Sequence, residues 1–78
     1  MQRQPTLIIL QTVAKQIKMH RKRSGITQQQ LADKCDLFRT YLSRIEGATA
    51  NPTITVLASL AFHLNVSVTE LLVEPDNS

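Results

Sequence analysis

The sequence has too few cysteines to be held together by disulfides or zinc. Its 78 residues include one cysteine, Cys35, and two histidines, His20 and His63, which stand far apart along the chain. One thiol cannot form an internal disulfide, and this spacing matches no zinc-binding pattern. We therefore expect an intracellular protein that binds no metal, with Cys35 as a small buried hydrophobe rather than a redox switch.

Long apolar runs and catalytic patterns are also missing. The run LIIL at residues 7–10 is too short for a signal-peptide core and far below the ~20 apolar residues of a membrane span. The six carboxylates are scattered, and no nucleophile, histidine and acid form a recognisable set. The sequence predicts a cytoplasmic protein that has no membrane partner and no cofactor and is not an enzyme.

Lysine and arginine are absent after residue 44. All nine lysines and arginines lie in residues 1–45, where two aspartates leave a charge of +7. Residues 46–78 contain four carboxylates and no base, which gives −4. This asymmetry suggests a surface for a polyanion, although a solvated basic helix would explain the charge equally well.

Helical periodicity is present along the whole chain, and no strand pattern occurs. Capping boxes begin at Thr27 and Ser67, and Thr53 is a further N-cap candidate. Gly25 and Asn65 are suited to the left-handed conformation that ends helices. The predicted fold is all-α, a compact five-helix bundle forming one domain over 1–78 with its core at about 6–74. Its helices lie at about 6–23, 27–34 and 38–46, followed by one from Thr53 to Leu64 and one from Ser67 to Leu72.

The third predicted helix, in LFRTYLSRIEG at residues 37–47, has an unusual surface. If Leu42 points into the core, Ile45 and Phe38 lie within about 60° of it, whereas Thr40 and Arg44 point about 160° away. The exposed side therefore carries guanidinium and hydroxyl groups. Such groups suit base edges in a major groove and phosphates alike.

The run GITQQQLADKCDLFRTYLSRIEGATANPTITVLASLAFHLNVSVTELL resembles the helix-turn-helix domains of the XRE type, the class of the phage Cro and CI repressors. It is most similar to small stand-alone regulators such as restriction-modification controller proteins, through RTYLSRIE followed by NPT. The resemblance covers about residues 10–73. It implies a lambda-repressor-like DNA-binding domain.

The resemblance also implies roles for individual residues. The third helix would be the recognition helix, with Arg39, Thr40 and Arg44 as base readers. Gln28 would hold a phosphate and brace the recognition helix. Arg21 and Glu46 would form a partly exposed structural ion pair between the first and third helices. The full set of predicted DNA contacts is Gln28, Phe38, Arg39, Thr40, Tyr41, Ser43, Arg44, Thr49 and Asn51.

The chain departs from the family's pattern at both ends of the third helix and in the following loop, which lacks the usual basic residue and leaves Thr49, Asn51 and Thr53 as uncharged phosphate donors. Phe38 stands where a Ser, Thr or Asp usually caps the recognition helix, so either Asp36 or no side chain is expected to cap it. Phe38 is expected to pack under Leu42, with contact to a sugar or a thymine methyl as the alternative. Gly47 precedes the usual glycine by one position, which leaves Ala48 there and predicts a reshaped helix end.

Apolar residues outside the predicted core indicate a partner surface. Phe62 lies about 140° from the face formed by Leu57, Leu60, Ala61 and Leu64. With Val56 and Val66 it is predicted to contact a second copy of the chain. Some residues of the apolar run at 7–10 are expected to be buried in that partner or in an extended core.

These features together predict a homodimeric regulator of transcription, a repressor or autoregulator that binds double-stranded DNA at a palindromic operator. The alternative is an antitoxin, which would bind a partner toxin as well as its own promoter. The sequence also leaves open a contact with RNA polymerase.

Overall fold

The computed structural model describes the backbone of residues 4–75 and the side chains of residues 6–75. Five α-helices, and no strand, occur within this range, so the all-α prediction is confirmed. The helix bounds agree with the predicted ones to within two residues. The helices are α1 (Gln4–Arg23), α2 (Gln28–Cys35), α3 (Arg39–Glu46), α4 (Ile54–Leu64) and α5 (Val68–Leu72).

The hydrophobic core receives side chains from all five helices. Its largest fully buried members are Ile17 of α1, Leu31 of α2, Leu42 and Ile45 of α3, Leu60 of α4 and Leu71 of α5. α3 packs against both α1 and α2. One side of α3 is thus fixed by Leu42 and Ile45, as its periodicity predicted.

A tight turn sets the position of α3 relative to α2. Asp36 ends α2 in the left-handed conformation, with a φ of 57°. The backbone N–H of Leu37 then donates to the Ala32 carbonyl at 2.9 Å, and Leu37 packs against the core. Because only residues 36–38 connect the two helices, their relative orientation is rigidly defined.

The N-terminus of α3 has no side-chain cap. Thr27, Thr53 and Ser67 each cap their helix by accepting a hydrogen bond from a backbone N–H three residues further on. Phe38 occupies the same position in α3 and makes no such bond. A polar cap stabilises a helix by about 1 kcal/mol, so α3 depends more than these helices on its tertiary contacts.

The C-terminus of α3 is closed by an alanine in an unfavourable conformation. Gly47 has a φ of −94°, whereas the following Ala48 has a φ of 61°. The Thr49 N–H donates to the Arg44 carbonyl at 2.9 Å, a bond that requires the left-handed residue at position 48. The reshaped end consists of this alanine at the position where the family usually has glycine.

Ala48→Gly is expected to raise the free energy of unfolding by about 0.5–1 kcal/mol, because glycine relieves the left-handed strain and this gain exceeds its greater entropy in the unfolded chain. Urea denaturation measures the change. The matched control is Ala58→Gly, at an exposed position inside α4. This variant should have a free energy of unfolding about 1 kcal/mol lower. A loss of stability in both variants would contradict the role given to Ala48.

Polar contacts that the periodicity did not predict join α1 to the segment after α5. Thr12 and Gln16 are both buried. The Thr12 hydroxyl donates to Glu74 Oε2, and Gln16 Nε2 donates to the Val73 carbonyl, each at 2.6 Å. Helical spacing in α5 would place Leu72 inside together with Leu71, but its side chain is 37% exposed. None of the helices between Gln4 and Leu72 combines the length and apolar composition needed to cross a bilayer.

Candidate nucleic-acid interface

The outward face of α3 carries the side chains predicted to read DNA. Arg39, Thr40 and Arg44 are exposed, and Ser43 is half-buried. Tyr41 is also half-buried and packs against the core. The same helix therefore buries one apolar side and presents polar groups on the other.

Phe38 lies next to this face and is not packed under Leu42, so the packing prediction was wrong. Its side chain is 83% exposed. Phe38 has an extended backbone, with φ −69° and ψ 139°, because it precedes the first helical residue. The 100° spacing used to place it beside Leu42 applies only to helical residues.

An ion pair between Arg21 and Glu46 joins α1 to the last residue of α3. Arg21 Nε donates to Glu46 Oε2 at 2.7 Å, and Arg21 Nη2 donates to Oε1 at 3.0 Å. The side chains are only 12% and 1% exposed, respectively, whereas the sequence suggested a partly exposed pair. Arg21 Nη1 also donates to the Ile26 carbonyl at 3.0 Å. The pair thus joins α1, the loop before α2 and the end of α3.

Gln28, the first residue of α2, is connected to the same carboxylate. Its Nε2 donates to Glu46 Oε1 at 3.0 Å, and the side chain is half-buried. This bond uses one of the two amide hydrogens. Glu46 therefore orients the residue that was predicted to hold a phosphate.

The loop between α3 and α4 lies against α3. Arg44 Nη2 donates to the Thr49 carbonyl at 3.3 Å, and the Thr49 hydroxyl donates to the Arg44 carbonyl at 3.2 Å. Thr49 and Asn51 are both exposed. We use the name recognition surface for the outward face of α3 together with Gln28, Phe38, Thr49 and Asn51.

Charge on the recognition surface is positive. Within residues 6–75 the ion pairs are Arg21 with Glu46 and Lys15 with Glu74, so Arg39 and Arg44 are not neutralised by a carboxylate of this part of the chain. Glu46 is turned inward and compensated by Arg21. The two arginines are therefore available to an anionic partner.

The three residues predicted to form the dimer surface differ in their exposure to solvent. Phe62 is 75% exposed, while Val56 and Val66 are half-buried and pack against the core. In the apolar run, Leu7, Ile8 and Ile9 are exposed and Leu10 is half-buried. The alternative that the run is buried in an extended core of this chain therefore applies at most to Leu10.

Some exposed apolar side chains were not predicted from the sequence. One of them, Ile54, is next to the loop of the recognition surface. On an ideal helix it would lie within about 70° of the buried face of α4, so the helical spacing gives no sign of its exposure. Only its position in the first turn of α4 distinguishes Ile54 from the buried residues of that helix. Leu72 and Val73 are also exposed.

Cys35 lies in the core beside a histidine of α4. Its Sγ is 3.5 Å from His63 Nδ1, which is 2.9 Å from the Ser59 carbonyl oxygen. Burial raises the pKa of the Cys35 thiol above its ordinary value, and Ser59 and Lys34 offset only part of the rise. A buried thiol that resists ionisation behaves as a small hydrophobe. No three His, Cys, Asp or Glu side chains converge as metal ligands in the described part of the chain.

This arrangement defines a helix-turn-helix domain, in which α2 and a tight turn hold a recognition helix with its polar face outward. The chain belongs to the helix-turn-helix family HTH_3, whose profile matches residues 17–71. The resemblance to XRE-type regulators and controller proteins is thereby confirmed.

Comparison with known proteins gives the same family. The chain is 40% identical over 63 residues to the immunity repressor protein of Bacillus phage phi105, a match that covers 81% of this chain and 44% of the repressor. It is 36% identical over 64 residues to control protein C.SmaI of Serratia marcescens, covering 82% of this chain and 76% of that protein. The crystal structure of the biofilm regulator SinR in complex with DNA superposes with a TM-score of 0.75 at 37% identity, covering 78% and 98% of the two chains.

The chain spans less than half the length of the phage repressor. The common region is the helix-turn-helix itself, since the family profile matches residues 17–71. The matched proteins are, by name, a repressor, a control protein and a regulator crystallised with DNA.

Proposed function

We propose that this chain is a single helix-turn-helix domain that binds a palindromic DNA operator as a homodimer and represses or autoregulates transcription. The observation that carries the proposal is the recognition surface. Arg39, Thr40 and Arg44 are exposed on α3 while Leu42 and Ile45 fix its other side. A helix held in this way can enter a major groove without losing much conformational freedom.

Base reading and phosphate binding are assigned to different parts of this surface. Arg39 and Thr40 lie in the first turn of α3, the part that reaches deepest into the groove in this class of domain. Arginine can bind guanine O6 and N7 through two hydrogen bonds, and a threonine methyl can contact a thymine methyl. Arg44 is the third proposed reader. Phosphate contacts are assigned to Gln28, Tyr41, Ser43, Thr49 and Asn51.

Gln28 supports this division because its amide nitrogen has one hydrogen left after it donates to Glu46. That hydrogen can bind a phosphate oxygen, and the N-terminus of α2 adds a favourable partial charge. A phosphate contact fixes the register of the domain on the duplex and does not itself read a base.

Dimerisation is assigned to the surface around Phe62, with Val56 and Val66 at its margin. An aromatic side chain that is 75% exposed is a strong candidate for burial against a second copy. A dimer would place two recognition helices one turn of DNA apart, and its operator occupancy would rise with protein concentration. Cytoplasmic location, and contacts with RNA polymerase or a toxin, remain predictions.

Selection of bound sequences from random double-stranded DNA tests the proposal. We expect enrichment of a palindrome with half-site centres about 10 base pairs apart, bound by a species of twice the 8.8 kDa chain mass. Sedimentation of the complex gives the mass. Enrichment of no sequence, or of single half-sites bound by monomers, would contradict it.

Two exposed phenylalanines provide a matched test of the dimer surface. Phe62→Ser should raise the dimer dissociation constant by about tenfold or more, as expected for an aromatic side chain at an interface. Phe38→Ser changes the same type of side chain at a similarly exposed position and should leave self-association unchanged. If both substitutions weaken the dimer equally, Phe62 does not have the assigned role.

A further inference from the structure

Phe38 is an exposed aromatic ring on a rigid backbone. Its carbonyl accepts hydrogen bonds from the N–H groups of Tyr41 and Leu42 at 3.0 and 3.1 Å, which fix it to the first turn of α3. On its other side, Leu37 packs against the core and donates to the Ala32 carbonyl. The backbone of Phe38 therefore has a defined position beside Arg39, and the ring extends from it without being covered by the fold.

The ring contributes little to folding. It is 83% exposed, and it takes the place of a polar side chain that would cap α3 as Thr27 caps α2. A residue that gives up a local stabilising bond without any packing in return is of the kind expected at a functional site. Its position at the leading end of the recognition helix makes DNA the relevant partner.

The charge of the turn indicates which part of DNA the ring meets. A phenyl group has no hydrogen-bond donor for a phosphate. Asp36, two residues before the ring, is exposed and would be repelled by the phosphates of a strand, whereas Arg39 on the other side of the ring is the proposed base reader. A position against the sugar-phosphate backbone is thus unfavourable, and an apolar group on a base edge is the better match.

We infer that Phe38 recognises the 5-methyl group of a pyrimidine in the major groove, within each half-site of the operator. This inference rests on the proposed function. The 5-methyl is the apolar group that a base pair displays in the major groove, and phenylalanine is among the side chains suited to contact it. Thymine and 5-methylcytosine both carry it.

Removal of single methyl groups tests the inference. Each thymine of the selected operator is replaced in turn by deoxyuridine, and the dissociation constant is measured at fixed salt. We expect one symmetry-related position to weaken binding by about fourfold per half-site, the effect of burying one methyl group. Replacement at other thymines, except any contacted by Thr40, should have no effect.

Variants of Phe38 connect the effect to this side chain. In Phe38→Ala the loss caused by deoxyuridine at that position should disappear, and Phe38→Leu should retain part of it. Phe62→Ala, at a second exposed phenylalanine, is the control: it should weaken overall binding through the dimer and keep the ratio between the two operators. Persistence of the full ratio in Phe38→Ala would overturn the inference.

A parallel series separates the two sources of the methyl group. Each cytosine of the operator is replaced by 5-methylcytosine, and a Phe38-dependent gain of about fourfold at one symmetry-related position identifies that base as the source. A Phe38-dependent loss of affinity when a thymine is replaced by deoxyuridine identifies thymine as the source. If neither series changes binding to an enriched operator, the inference fails while the proposed function stands. If selection enriches no operator, both fail.

Discussion

Arg21→Met is expected to lower the free energy of unfolding by about 3–5 kcal/mol, the loss typical of breaking a buried ion pair by removing one partner. Methionine keeps most of the apolar stem of the arginine and removes its charge. The Glu46 carboxylate, whose side chain is 1% exposed, would then keep only the hydrogen bond from Gln28. Urea denaturation monitored by circular dichroism measures the difference in free energy of unfolding.

The second ion pair of the described residues supplies the control. Lys15 and Glu74 are 3.6 Å apart, and their side chains are 62% and 61% exposed. Lys15→Met makes a comparable change on the same helix, and we expect it to alter stability little because water already solvates both charges. Similar losses in the two variants would show that burial of the Arg21 pair does not have the effect assigned to it.

The Arg39→Ala variant is expected to bind the selected operator about 1–3 kcal/mol more weakly and to lose preference at one base pair of each half-site. Alanine removes the guanidinium that would bind a guanine through two hydrogen bonds, whereas the position of α3 is set by residues on its other side. The same result is expected for Arg44→Ala. Titration of operator and random duplexes at one salt concentration measures both losses.

An exposed cation on another helix distinguishes base reading from general attraction. Lys18→Ala removes one positive charge from the exposed side of α1. It should weaken binding to operator and random DNA by the same small factor, because long-range attraction carries no sequence information. If Arg39→Ala also weakened both duplexes equally, Arg39 would be a phosphate contact and not a reader.

Local signals in the sequence identified the helices and their ends. At the start of α2, the Thr27 hydroxyl accepts from the Gln30 N–H at 3.0 Å, and Gln30 Oε1 accepts from the Thr27 N–H at 2.8 Å. The same box occurs at Ser67, and Asn65 has the predicted left-handed conformation. Such bonds join residues a few positions apart, so the residue types and their spacing suffice to predict them.

The candidate site was predictable where it depended on helical spacing. Thr40 and Arg44 are exposed because they lie opposite Leu42 on a regular helix. Phe38 could not be placed in this way because it precedes the helix. Glu46 was expected to be partly exposed, and its burial depends on where α1 lies relative to the end of α3.

The sequence by itself determined five helices, their caps and a polar strip on the third, because each depends on interactions within about one or two helical turns. Only the tertiary structure decided the burial of the Arg21 pair, the exposure of Phe38 and the contact between Cys35 and His63. The Arg21 and Glu46 side chains are 25 positions apart, and those of Cys35 and His63 are 28 apart. Contacts over such separations depend on how the helices pack, and the spacing of residues within one helix does not specify that packing.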